Sequence, residues 1–285
     1  MGKIKDIIKL TRIEHSLMLI IAVVAAEMIA LGLPRVNVLI LSMITPVFIS
    51  MGAFAINDYF DIDTDRINRK SNPLLKGSLK PMDALYITAV SMIIGIAASA
   101  MINFYCFAIA IIFAVLSVLY SYRMKNMLLL GNAYIAVSMA IVFIFGAYVV
   151  SSSVRPAVLL IIAMIFLSGL AREINGTVRD MTGDVKARKV KTLPVVIGSK
   201  AAAAIAFILY IIAIGITLFL FLDMPPFLYN IYYGVIIVIS DILVFNSGII
   251  FLLGDKKSYR RARNTSLAGM GLALIAILIA SLAYI

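Results

Sequence analysis

Nine apolar runs, each close to the length of a bilayer crossing, leave this chain few folds to choose from. They lie near residues 15–33, 36–57, 82–102, 104–121, 131–150, 156–173, 200–222, 230–253 and 264–285. About 20 residues of helix cross the hydrocarbon core. Lipid offers no hydrogen bonds, so each run must satisfy its backbone internally, as a helix does. Composition agrees: 63% of the 285 residues are hydrophobic and only 14% charged, with mean hydropathy +1.08. A soluble domain is roughly a quarter charged and could not hide this much apolar surface. The expected fold class is all-α, a multi-pass transmembrane bundle of about nine helices forming one domain over 1–285. The single cysteine, Cys106, excludes an intramolecular disulfide, and the single histidine, His15, excludes His-rich zinc or haem sites.

Charge orients the bundle. Of the 25 Lys and Arg residues, only Arg35 and Arg155 fall on one side. The rest lie in the N-terminus and in the loops 58–81, 122–130, 172–200 and 254–263. The positive-inside rule places those segments in the cytoplasm. Residues 3–14 (KIKDIIKLTRIE) mix basic and apolar side chains, so the N-terminal segment 1–14 is expected along the interface. The net charge of +11 then reflects orientation, membrane lipids and anionic substrates. No soluble domain is left to carry a nucleic-acid site, so none is expected.

Acidic residues number only 14, and four of them crowd into Asn57-Asp58-Tyr59-Phe60-Asp61-Ile62-Asp63-Thr64-Asp65. On a helix, Asn57, Asp58, Asp61 and Asp65 share about 100° of arc, while Asp63 points away toward solvent. In Arg172–Asp184, Glu173, Thr177, Asp180 and Asp184 share a face within about 60°. Arg172 and Arg179 project roughly opposite. The same interval separates Asp61 from Asp180 and Asp65 from Asp184. Both stretches follow an even-numbered span, which suggests two similar four-helix halves plus a ninth helix. The active-site loops are expected at 58–81 and 172–200.

Carboxylates packed on one face repel one another unless a cation bridges them. Mg²⁺ takes oxygen ligands octahedrally and shares protein carboxylates with substrate phosphates. Two facing clusters, Asp58, Asp61 and Asp65 with Asp180 and Asp184, would hold Mg²⁺ with a diphosphate between them. Such an array stabilises a departing diphosphate electrostatically. A solvated acidic loop is the plainer alternative, but matched spacing at two helix ends speaks against it.

The pattern N-D-x-x-D-x-x-x-D at 57–65, with D-x-x-x-D at 180–184 followed by Thr192-Leu193-Pro194 and Gly198, resembles the UbiA superfamily of intramembrane prenyltransferases. The resemblance covers essentially the whole chain. It implies that Asn57, Asp58, Asp61, Asp65, Asp180 and Asp184 bind Mg²⁺ and a prenyl diphosphate. It also points to Tyr120, Tyr122, Arg123 and Lys125 as contacts to the diphosphate or the isoprenyl cation. For the tyrosines, interfacial anchoring stays open. Where the family often has Arg-Pro-x-x-x-Gly, this chain has Asn72-Pro73 and Gly77. Arg69, Lys70 and Lys76 are candidates for the missing charge, and Lys186 joins them beside the second motif.

The wording N-D-Y-F-D-x-x-x-D-x-I-N, Gly131-Asn132 and Ala171-Arg172-Glu173-Ile174 resembles the archaeal ether-lipid branch of that superfamily. This implies transfer of a geranylgeranyl group to the hydroxyl of geranylgeranylglyceryl phosphate, a lipid-phosphate acceptor. Quinone-type aromatic acceptors are the alternative, and a divalent-cation transporter is a competitor from another class. A transporter would need charged groups along a midplane path. Asp241 and Glu27 lie inside apparent spans, but Ser240, Asn246 and Ser247 offer Asp241 structural partners and Glu27 lies toward the outer side, so neither is assigned to the site. Arg12 and His15 flank the first span, where snorkelling or helix capping is the plainer reading and holding the acceptor is the alternative.

Overall fold

The structure is a computed structural model. It describes residues 2–30, 32–67, 72–188, 192–255 and 257–283, without the side chains of residues 67 and 182–188. Its helices are α1 (Gly2–Thr11), α2 (Ser16–Ala30), α3 (Val36–Phe60), α4 (Ile62–Ile67), α5 (Pro81–Ala100), α6 (Phe104–Tyr122), α7 (Leu130–Val150), α8 (Pro156–Arg188), α9 (Leu193–Ile197), α10 (Ser199–Asp223), α11 (Ile231–Leu253) and α12 (Tyr259–Leu282). Short 3₁₀ turns, Ile13–His15 and Met124–Asn126, precede α2 and α7. Among the described residues nine helices are long and apolar enough to cross a membrane: α2 with its leading turn, α3, α5, α6, α7, α8, α10, α11 and α12. Their outward faces stay apolar; Val235, Val238, Ile242 and Phe245 of α11 are all exposed. In lipid that surface costs nothing.

Each span packs on the next, and α12 returns to α2, which also touches α3, closing a ring. Inside it α2 lies against α7, and α3 against α6. The second span packs most heavily on the third in the first half, α3 on α5. The same holds for α8 on α10 in the second half, as two similar halves require. Between lipid-bathed helices no hydrophobic force drives association, so close approach and interhelical hydrogen bonds must do it. A Cβ on Gly146 would stand 2.7 Å from the Val23 carbonyl oxygen, so only glycine lets α7 seat on α2. Ser240 donates to the Gly269 carbonyl at 2.7 Å and Ser247 to that of Ala262 at 2.9 Å, tying α11 to α12.

Two features place the site. First, α3 does not run straight through its acidic motif. It stops at Phe60, Asp61 turns at φ −94°, ψ 1°, and α4 resumes. Helical hydrogen bonds continue across the break, from Asp61 N to Asn57 O and from Asp65 N to Asp61 O. The shared face expected of one helix therefore survives, and Asp63 faces solvent with 91% of its side chain exposed. Second, α8 has 33 residues, so much of the stretch 172–200 expected as a loop is helix. At about 1.5 Å per residue it exceeds the hydrocarbon core by many ångströms. Its polar last turns, which carry Asp180, are therefore expected beyond the hydrocarbon core.

Candidate active site

The acidic end of α3 and α4 is roofed by α1. Leu10 is fully buried against Ala55, Leu74, Leu79 and Ala84. This anchors α1 over the motif and delivers the residue that follows it. Arg12, in the left-handed region at φ 48°, donates from Nη2 to Asp58 Oδ1 at 2.9 Å. Its guanidinium lies over the Phe54 ring, 4.7 Å from the centroid. Lys125 arrives from the other side, its Nζ 2.8 Å from Asp61 Oδ1. Asn57 donates to the second oxygen of Asp61 at 3.2 Å. Asn72 donates to Asp65 at 3.3 Å while its own oxygen accepts from the Leu74 backbone. Asp58, Asp61 and Asp65 are all buried. With Lys9, Arg12, Asn57, Asn72 and Pro73 they line a cavity of about 130 Å³.

That cavity adjoins a far larger one. Arg12 and Asn57 also line a chamber of about 610 Å³ inside the ring, within the roughly 300–1,000 Å³ usual for ligand sites. Its walls are mainly apolar, among them Leu19, Ile49, Ile109, Val142, Met164 and Leu274. One flank is aromatic: Tyr120 stacks on Tyr134 at 4.6 Å between centroids, and Phe113 lies near-parallel to Tyr134 at 6.4 Å. The second motif reaches the same chamber through Arg172 and Glu173, which are ion-paired at 3.0 Å. Further along α8, Arg179 donates from Nε to Asp180 at 2.8 Å, and half of the Asp180 side chain is exposed. Helix α4 touches α8, so the two acidic segments meet at one end of the bundle.

The structure sorts the expected residues. Asn57, Asp58, Asp61, Asp65 and Lys125 come together, and Tyr120 faces the chamber. Tyr122 does not: it is 66% exposed and packs on Phe60, as an interfacial anchor does. Arg123 and Lys76 are exposed and line neither cavity. Arg123 ends α6, and Lys76 rides the turn at 73–77, which carries it outward. Arg69 and Lys70 lie outside the described residues, as do the side chains of Asp184 and Lys186. Arg12 is corrected from an interfacial group to a partner of Asp58. Arg172, expected to point away from the motif face, lines the chamber beside Glu173. Asp241 also lines it, accepting from Thr217 at 2.7 Å. Arg12 left no local trace, since its partner lies 46 residues away. Asn72 replaces a cation in the pattern and acts instead as an amide donor to Asp65.

Among the described residues no three acidic side chains converge on one point. The reason is visible: Asp58, Asp61 and Asp180 each turn toward an Arg or Lys. The donor set nevertheless suits a hard divalent ion, because it offers carboxylate and amide oxygens and no sulfur or imidazole.

The sequence pattern of the UbiA prenyltransferase family matches residues 18–273. The chain belongs to the UbiA prenyltransferase family. Within it, the chain is 33% identical over 279 residues to the digeranylgeranylglyceryl phosphate synthase of Archaeoglobus fulgidus, covering 95% of this chain and 94% of that one. The synthase of Thermococcus kodakarensis is 29% identical over 279 residues, covering 98% of each. Among solved structures, one described as digeranylgeranylglyceryl phosphate synthase in membranes superposes with a TM-score of 0.79 at 27% identity, covering 99% of this chain and 100% of that one. A UbiA homolog of Archaeoglobus fulgidus bound to GPP and Mg²⁺ shares the UbiA fold, with a TM-score of 0.66 at 19% identity over 95% of this chain and 99% of that one.

Proposed function

We propose that this UbiA-family enzyme transfers a geranylgeranyl group from geranylgeranyl diphosphate to the free hydroxyl of geranylgeranylglyceryl phosphate, with Mg²⁺, at the cytoplasmic face of the cell membrane. One observation carries the reading. A small cavity of buried aspartates adjoins, at Arg12 and Asn57, an apolar chamber of about 610 Å³. A diphosphate headgroup suits the first and prenyl chains suit the second. The names of the archaeal relatives supply the donor and acceptor classes.

Asp58, Asp61 and Asp65, with Asp180 and Asp184 from α8, would hold the metal. When bound, Mg²⁺ neutralises charge on the departing diphosphate. The chain's own residues do the rest. Lys125 and Arg12 stand at the aspartates, positioned to donate to diphosphate oxygens as negative charge gathers there. Tyr120 and Tyr134 line the chamber as an electron-rich aromatic flank that favours positive charge on the allylic carbon. Apolar walls exclude the water that would otherwise intercept it.

Purified protein given geranylgeranyl diphosphate, Mg²⁺ and geranylgeranylglyceryl phosphate is expected to release pyrophosphate and yield a product of the summed mass less diphosphate. Asp58→Ala, Asp61→Ala and Asp180→Ala are each expected to abolish turnover in folded protein. Near-normal rates in all three remove the metal assignment. Turnover with hydroxybenzoate but not with the lipid phosphate moves the enzyme to the aromatic branch.

A further inference from the structure

Resting on that reading, the reaction brings two anions into one chamber, a diphosphate on the donor and a phosphate on the acceptor. Like charges a few ångströms apart repel strongly in a low-dielectric interior, so each needs its own cations. The cations Arg12 and Lys125 stand at the first aspartate cluster, where they serve the diphosphate. The remaining arginines that line the chamber are Arg172 of α8 and Arg263 of α12.

Arg172 differs from a surface cation. The Arg172 side chain is 15% exposed, and its Nε is buried with no hydrogen-bond partner, although its Nη1 bonds Glu173. Arg263 is exposed and has no ion-pair partner among the described residues. Arg172 lies eight residues before Asp180 on α8, which is about 12 Å along the axis toward the bilayer interior. A phosphate held there sits apart from the diphosphate end, while a glycerol attached to it still reaches the chamber. We infer that Arg172 and Arg263 form the subsite for the acceptor's phosphate monoester, with Glu173 holding the Arg172 guanidinium in place. The pair would then set the preference for a phosphorylated over an unphosphorylated glyceryl ether.

Arg263→Gln tests this, because Arg263 makes no direct ion pair among the described residues and Arg172 still pairs Glu173 when it is removed. In zwitterionic nanodiscs, KM for geranylgeranylglyceryl phosphate is expected to rise about 10- to 100-fold, the usual worth of a charge-assisted contact. KM for geranylgeranyl diphosphate is expected to move by less than about twofold. The ratio of kcat/KM between the phosphorylated acceptor and its dephosphorylated alcohol should fall by the same 10- to 100-fold. Arg263→Lys should recover most of it. A larger KM for the donor, or an unchanged ratio, overturns the proposal. So does an effect that appears only when anionic phospholipid is added, since the pair would then hold headgroups. Wild-type protein that fails on the lipid phosphate defeats the proposed function itself, which is a separate result.

Discussion

Lys125 and Asp61 are equally hidden, with 8% of each side chain exposed and 2.8 Å between their charges. Such a pair adds little net stability, because desolvation consumes most of the attraction. Breaking it from one side is another matter. Lys125→Met takes this cation from a buried carboxylate and is expected to cost about 3–5 kcal/mol. Adding Asp61→Asn removes that charge, so Lys125→Met/Asp61→Asn should recover much of the melting temperature. Turnover should stay lost, since the double variant lacks both the cation and a proposed ligand. Thermal unfolding in detergent beside a pyrophosphate assay checks both halves. Recovery of activity with stability would make the pair purely structural. The Arg12–Asp58 contact is expected to be weaker, because 39% of the Arg12 side chain is exposed and water screens it. At this scale the sequence was readable where contacts are local. Periodicity separated Asp63 from its neighbours. It had no means of telling Tyr120 from Tyr122, since which ring faces inward depends on Tyr134 in another helix.

Elements decide where those side chains stand. Lys125 belongs to the turn Met124–Asn126, which rests on the first turn of α7. A Cβ added at Gly131 would meet the Lys125 Cα at 3.0 Å and the Met124 carbonyl oxygen at 3.2 Å. The glycine that opens the fifth span therefore sets how closely Lys125 approaches Asp61. Gly131→Val should push the turn outward, raise KM for the prenyl diphosphate about tenfold and leave the fold intact. Steady-state kinetics with a circular-dichroism control checks this; an unchanged KM removes the positioning role. Gly146→Val strikes α2 against α7 instead, and is expected to abolish folded protein in size-exclusion chromatography. The spans themselves were legible because lipid demands long apolar runs. The shared face of Glu173–Asp184 was legible as helix from its periodicity, but the unbroken run of α8 from the span through Arg188 was not, because its last turns are polar and match a loop in composition. Nor was the reach of Arg12, which depends on α1 docking through Leu10.

The whole bundle has one polar end, and its side of the membrane decides which pools of substrate it meets. Both acidic segments lie there, with α1 and the Lys-rich connections around them. Basic residues resist transfer across the bilayer, so this end should face the cytoplasm. The single cysteine makes the orientation measurable. Cys106 is fully buried and should stay silent toward a membrane-impermeant maleimide. Asp63→Cys and Lys257→Cys place a thiol at exposed positions on the polar end, and Ser153→Cys places one on the opposite end. In sealed right-side-out vesicles only Ser153→Cys should label. In inverted vesicles Asp63→Cys and Lys257→Cys should label, and Ser153→Cys should not. The reverse pattern would put the aspartates outside, away from cytoplasmic Mg²⁺ and diphosphate. Labelling of Asp63→Cys and Lys257→Cys from opposite sides would break the alternation of the spans between them. If that break falls between α4 and α8, the two acidic segments no longer share an end, and the metal site built from both helices fails with it.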